Sequence, residues 1–252
     1  MSFAVDGKPF TGTRGESLLD ALRRHGFRVP SLCHYPLLKP YGACRLCLVE
    51  IEENGRRKLC TSCDYPLREN ISVYLDTEKV VRNRRMVLEL LLSMAPDSAK
   101  IKNLASEYEV SGTSFSMEQE TDNCILCGLC VRVCREVVGA EALAFVERGG
   151  KRNIATRYFG EFPESCIACG ACSYVCPTDA IFMEETALPR LRDKWGETRP
   201  CRYALMGLTP GARCENDYRC WQCEVDQKMI DRAGSLHPVF LARGSVKRER
   251  ET

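Results

Sequence analysis

Two stretches of this 252-residue chain repeat one spacing of four cysteines, and that repeat limits what the chain can become more than any other feature. The first reads Cys124-Ile-Leu-Cys127-Gly-Leu-Cys130-Val-Arg-Val-Cys134, and the second Cys166-Ile-Ala-Cys169-Gly-Ala-Cys172-Ser-Tyr-Val-Cys176-Pro177. Three thiolates spaced by two residues wrap three corners of a small cube, and a helix after the third turns the fourth away toward the neighbouring run. On that arithmetic Cys124, Cys127, Cys130 and Cys176 bind one [4Fe-4S] cluster, and Cys166, Cys169, Cys172 and Cys134 the other. Gly128 and Gly170 stand where a side chain would crowd the cluster. Ile125, Leu126, Leu129, Ile167, Ala168 and Ala171 supply a dry jacket for the sulfurs. A zinc scaffold is the alternative, since C-x2-C also makes zinc knuckles. Two copies of the full four-cysteine spacing weigh against it.

The bulk composition agrees with a protein of several small cofactor-holding domains. Seventeen cysteines in a chain without a basic-then-apolar leader point to metal ligation rather than disulfides, and to the cytoplasm. A net charge of +2 gives no reason to expect a nucleic-acid partner. The strongest apolar run, Met86 to Ala95, is interrupted by Glu89 and is too short to span a bilayer.

At the start of the chain, Phe3 to Val5 and Lys8 to Thr11 flank an Asp6-Gly7 turn and predict a hairpin. Thr13-Arg14-Gly15-Glu16 fits a capping box for a helix with Leu18, Leu19, Ala21 and Leu22 on one face, ended by Gly26. A cysteine-bearing loop follows: Val29-Pro30-Ser31-Leu32-Cys33-His34-Tyr35-Pro36, then Tyr41-Gly42-Ala43-Cys44-Arg45-Leu46-Cys47. With these residues the chain resembles the N-terminal [2Fe-2S] domain of the complex I large iron–sulfur subunit. A similar domain opens the small diaphorase subunit of NAD-reducing hydrogenases, the large subunits of some [FeFe] hydrogenases and some formate dehydrogenases. The resemblance implies a β-grasp ferredoxin fold and three loop ligands, Cys33, Cys44 and Cys47. A fourth comes from a later strand entrance followed three residues on by Pro. Cys60 and Cys63 compete for that place, and Cys63-Asp64-Tyr65-Pro66, ahead of Ile71-Ser72-Val73-Tyr74, has the matching context. His34 adjoins a ligand, but Rieske ligation needs two histidines on one iron, so a supporting role is expected for it.

Glu78 to Met94 predicts a well-buried helix, with Val80, Val81, Met86, Val87, Leu88, Leu90, Leu91 and Leu92 inward and Arg82, Arg84 and Arg85 outward. A second, more polar helix is expected over 98–110, and a linker over Ser111 to Ser116. The resembled family places a third cluster here, on one His and three Cys. Residues 77–120 contain neither residue type, so that cluster is absent. Further on, Ala142 to Arg148 and Lys151 to Tyr158 alternate about Gly149-Gly150 as a two-residue hairpin. Cys176-Pro-Thr-Asp-Ala-Ile181 is similar to the end of a bacterial ferredoxin.

The last four cysteines, Cys201, Cys214, Cys220 and Cys223, follow a C-x12-C-x5-C-x2-C spacing threaded by Gly207, Gly211 and Trp221. A helix is expected from Glu224 to Arg232, then a mobile charged tail, Ser245 to Thr252. Either a zinc ion or a further [4Fe-4S] cluster suits four thiolates. Zinc would close a small domain lacking its own core; the long gaps between cysteines suit a larger cluster.

The expected architecture is α+β. Residues 1–76 form a β-grasp [2Fe-2S] ferredoxin domain and 77–116 a helical linker. Residues 117–185 form a 2[4Fe-4S] ferredoxin domain and 186–252 a four-cysteine module with its tail. No dinucleotide fingerprint, P-loop, H-cluster domain or molybdopterin-type domain is recognisable, so no catalytic residue is assigned. The expected role is an electron-transfer subunit relaying between a flavin/NAD(P)H subunit and a catalytic subunit of hydrogenase, formate dehydrogenase or transhydrogenase type. The alternatives are a free-standing ferredoxin-like carrier and a zinc scaffold.

Overall fold

The computed structural model describes residues 1–116, 123–156, 163–181, 193 and 195–229, which divide into two compact units, Met1–Cys127 and Gly128–Thr252. Both mix helix and sheet. Parts of the expectations for 157–162, for the 185/186 boundary, for the end of the last helix and for the tail lie outside the described residues.

In the first unit the strands are β1 (Ser2–Val5), β2 (Lys8–Thr11), β3 (Leu48–Glu53), β4 (Arg56–Thr61) and β5 (Ser72–Tyr74). They form one sheet in the order β2-β1-β5-β3-β4, in which only β1 and β5 run parallel. Two hairpin turns set the register. Asp6-Gly7 joins β1 to β2 as expected. Asn54-Gly55, a pair the sequence reading passed over, joins β3 to β4 with Glu53 opposite Arg56. All four turn residues have positive φ (47°, 81°, 53° and 73°), which matches the twist of the flanking strands.

Helix α1 (Leu18–Arg24) lies on this sheet and buries Leu18, Leu19, Ala21 and Leu22. Its cap is shifted from the expected position. Ser17 is the N-cap, its hydroxyl accepting from Asp20 N–H at 3.1 Å. Glu16 still bonds back to Thr13 N–H, but in the preceding turn. The helix ends as expected at Gly26, where the Phe27 and Gly26 N–H groups bond to Leu22 and Arg23 carbonyls at 3.0 and 2.9 Å. Phe3, Val5, Val49, Ile51, Ile71 and Val73 complete the core, and Cys47 and Cys63 belong to the same buried cluster.

Helix α2 (Glu78–Met94) has the expected span but not the expected faces. Met86 and Leu90 are exposed, while Arg84 is 1% exposed. The buried stripe is Val80, Arg84, Leu88 and Leu91. Arg84 binds the Asp76 carboxylate at 3.0 Å, the Tyr108 hydroxyl at 3.0 Å and the Leu48 carbonyl at 2.6 Å. A guanidinium is tolerated there because both its terminal nitrogens find fixed acceptors, while its Nε is buried without a partner. The contacts tie α2 and the end of α3 (Ala99–Glu107) to the first residue of β3.

In the second unit, α4 (Leu129–Arg132) passes directly into a wider π turn, Val133–Val137, with Val138 N–H bonded to the Val133 carbonyl at 3.0 Å. Strands β6 (Leu143–Val146) and β7 (Asn153–Thr156) pair antiparallel. Their connection is longer than a two-residue turn. Val146 faces Asn153, and a 3-10 turn over Gly149–Lys151 occupies the loop. Helix α5 (Ala171–Val175) and the short α6 (Arg202–Leu205) follow, and a helix opens at Glu224. No helix among the described residues is long and apolar enough to cross a membrane.

Candidate metal centres

The first set of thiols is assembled by the loop between α1 and β3 and by the turn that leaves β4. Cys33, Cys44, Cys47 and Cys63 are each 4% exposed or less. Ser62 fastens the β4 side to the loop, its N–H and hydroxyl bonding the Cys47 carbonyl at 2.9 and 2.8 Å. Backbone donors are aimed at sulfur: Leu32 N–H at Cys44 Sγ, 3.3 Å, and Cys44 N–H at Cys33 Sγ, 3.4 Å. The thiols also bond one another. Donation from Cys44 and Cys63 holds Cys33 down to about 2. Donation from Cys63 is likewise the main reason Cys47 lies at about 7. Cys63 and Cys44 are pushed upward, chiefly because they donate to these partners. Four buried thiols that can satisfy each other only by sharing protons, with N–H donors already directed at them, suit a charge-compensating iron–sulfur group.

Cys60 sits differently. It lies within β4 opposite Val49 and packs against the hydrophobic core. Burial, followed by the Asp64 charge, pushes its thiol up to about 12. His34, 5% exposed in its side chain, reaches back to the Asp20 carboxylate at 3.0 Å and thereby ties the loop to α1.

In the cysteine repeat the two halves share one backbone course. Leu126 and Ala168 have positive φ (52° and 55°), and their N–H groups point at Cys124 Sγ and Cys166 Sγ at 3.4 and 3.5 Å. Gly128 and Gly170 start α4 and α5 at φ 73° and 72°. That left-handed backbone is a reason for glycine in its own right, whatever the room available for a side chain. Cys134 stands with the second run. It lines a cavity of about 180 Å3 together with Cys166, Cys169 and Cys172. Cys172 is pushed up to about 12 by burial and then by Cys169, Cys134 and Cys166. The lining is mostly apolar, with Ile167, Ala140 and Ala142 buried, and Ala142 N–H donates to Cys134 Sγ at 3.3 Å. Cys134 sits within the π turn Val133–Val137. Cys127, Cys130 and Cys176 are buried, and Cys124 is half-buried.

The last four cysteines also line a common space. Pro200 and Arg213 form an antiparallel bridge, with Cys201 N–H bonded to the Ala212 carbonyl at 2.8 Å and Cys214 N–H to the Arg199 carbonyl at 2.7 Å. A 3-10 turn over Cys220–Gln222 carries the other pair. All four line one cavity of about 600 Å3. Among the described residues, no three His, Cys, Asp or Glu side chains are gathered about a point for a single metal ion. The sulfurs are related by mutual hydrogen bonds and by the cavities they line.

Sequence reasoning missed Arg84, Ser62, Arg202 and the buried Tyr203–Asp226 pair. Of these, only Arg84 had a signal, its place four residues from both Val80 and Leu88.

Comparison with known proteins agrees with this layout. Residues 1–78 match a 2Fe-2S iron-sulfur cluster binding domain, and residues 123–180 match a 4Fe-4S dicluster domain. The NADPH-Fe(3+) oxidoreductase subunit alpha of Geobacter sulfurreducens is 30% identical over 72% of this chain and 24% of its own length. The NADP-reducing hydrogenase subunit HndD of Solidesulfovibrio fructosivorans is 29% identical over 73% and 36%. This chain therefore spans only a quarter to about a third of these relatives. A crystal structure of an NAD+-reducing [NiFe]-hydrogenase in the H2-reduced state matches with a TM-score of 0.55 and 29% identity, covering 62% of this chain and 74% of that one. This chain carries a 2Fe-2S cluster-binding domain followed by a 4Fe-4S dicluster domain, and it is related to subunits of NAD- and NADP-linked oxidoreductases.

Proposed function

We propose that the chain is the iron–sulfur relay of a multisubunit oxidoreductase, standing between a flavin/NAD(P)H subunit and a catalytic subunit of hydrogenase, formate dehydrogenase or transhydrogenase type. The N-terminal sheet with α1 is read as a β-grasp ferredoxin domain whose Cys33, Cys44, Cys47 and Cys63 hold a [2Fe-2S] cluster. The dicluster domain holds two [4Fe-4S] clusters, one on Cys124, Cys127, Cys130 and Cys176, the other on Cys166, Cys169, Cys172 and Cys134. When bound, such clusters accept and release single electrons. The residues of this chain set where they sit, keep water off and direct N–H dipoles at sulfur, the terms by which a protein tunes a cluster potential. The observation that carries the reading is the joint lining of one apolar cavity by Cys134 and the thiols of the other run, the crossover a two-cluster domain needs.

The test is kinetic. The anaerobically purified, cluster-loaded chain is expected to bleach once, stoichiometrically, with dithionite. With NAD(P)H and a dye acceptor it is expected to show no turnover. Turnover without flavin at ordinary enzymatic rates, on the order of 1–1000 per second, would overturn the relay reading.

A further inference from the structure

The C-terminal cysteines belong to neither matched domain, since the second match ends at residue 180. Their surroundings nevertheless constrain what they hold. Zinc is attractive where a small domain lacks a core and needs a clasp. This segment has a core: Tyr203, Met206 and Tyr218 are 2%, 1% and 1% exposed. The Tyr203 hydroxyl donates to the Asp226 carboxylate at 2.7 Å, and the Tyr218 hydroxyl donates to the Pro200 carbonyl at 3.1 Å. These bonds link the bridge, α6 and the helix opening at Glu224 without any metal.

Size points the same way. A zinc ion bonded to four sulfurs at about 2.3 Å draws them into contact and leaves no room between them. Here Cys201, Cys214, Cys220 and Cys223 line about 600 Å3 of space. The cavity of the Cys134, Cys166, Cys169 and Cys172 set is about 180 Å3. A site this large has room for a four-iron cube, as the smaller cavity of the other set is read to have. Donors are also in place, with Tyr218 N–H directed at Cys214 Sγ at 3.1 Å.

Arg202 follows Cys201 directly, lines the same cavity and has a buried Nε without a partner. It puts a fixed positive charge beside the four thiols, which suits a group that carries negative charge.

We propose that Cys201, Cys214, Cys220 and Cys223 hold a further [4Fe-4S] cluster, with Arg202 as the fixed charge beside it. When bound, such a cluster would accept and release a single electron, with no proton or group transferred. The inference rests on the relay reading and extends it.

Metal counting on the full-length, anaerobically isolated chain is the first test. About fourteen irons per chain without zinc is expected, against about ten for one two-iron and two four-iron centres. In Cys220→Ser the count is expected to fall by about four while the [2Fe-2S] signal persists. Arg202→Leu keeps all four thiols and is expected to retain about fourteen irons while lowering the reduction potential of the C-terminal cluster. About ten irons with one zinc would overturn the inference and leave the relay reading standing. An iron count unchanged in Cys220→Ser would likewise overturn the inference. A parent count well below ten would overturn the relay reading, and this inference with it.

Discussion

Cys63→Ser is expected to abolish the [2Fe-2S] EPR signal, whereas Cys60→Ser leaves it near its parental intensity. The two residues are close in sequence and both lie where β4 ends, so only their surroundings separate them. Cys63 is 1% exposed and donates to Cys33 and Cys47. The Ser62 bonds to the Cys47 carbonyl hold it against the loop that carries the other three. Serine in its place leaves three thiolates and a hydroxyl, a far weaker ligand for iron. Cys60 instead fills space against the core, and serine there costs about 1 kcal/mol of stability with no ligand lost. EPR of the dithionite-reduced variants, with iron counted in the same samples, decides the matter. Loss of the signal in Cys60→Ser with retention in Cys63→Ser would transfer the fourth position to Cys60.

The second large effect is expected at Arg84. Arg84→Ala strips partners from the Leu48 carbonyl and the Tyr108 hydroxyl and opens a void at a position 1% exposed. The combined loss is about 3 kcal/mol, which for a unit of this size lowers the melting temperature by about 10 °C. Arg84→Lys is expected to recover only part of this. A single ammonium cannot reproduce the planar fork that reaches Asp76, Tyr108 and Leu48 together. Because Leu48 follows Cys47, the visible circular dichroism of the [2Fe-2S] centre is expected to change in both variants. Thermal unfolding under anaerobic conditions measures the first expectation. A shift of less than about 0.5 kcal/mol for Arg84→Ala would show that α2 is held by its apolar stripe alone.

Arg84 also shows how far the sequence can be read. Its position in the repeat Val80, Arg84, Leu88, Leu91 marks the buried face, yet its charge led to the opposite assignment. Periodicity reports which way a side chain points, while residue type reports only its average cost of burial. What removes that cost here is a carbonyl 36 positions earlier and a hydroxyl 24 positions later, which no local window contains. The Asp6-Gly7 hairpin, the α1 terminator at Gly26 and the bounds of α2 were legible because each depends on residues within a few positions. The capping box slipped to Ser17 because Thr13 and Ser17 both head an acceptable pattern, and packing of Leu18 against the sheet chose between them.

The same division runs through the metal centres. The sequence by itself determined that the chain holds iron–sulfur domains, and in which order, because thiolate spacing along a loop is a local property matched to a small rigid group. The family resemblance favoured Cys63 over Cys60 by context. The crossover of Cys134 to the second run was also legible in the spacing, and the cavity they share agrees with it. Only the tertiary structure decided how the C-terminal thiols come together: Cys201 and Cys214 are joined by the Pro200–Arg213 bridge across a gap of twelve residues. Nor could spacing reveal that the C-terminal segment packs two buried tyrosines or that Arg202 lines the cavity of the last four cysteines. Those features come from chain segments meeting after folding, when burial and fixed charge act on groups that sequence separation keeps apart.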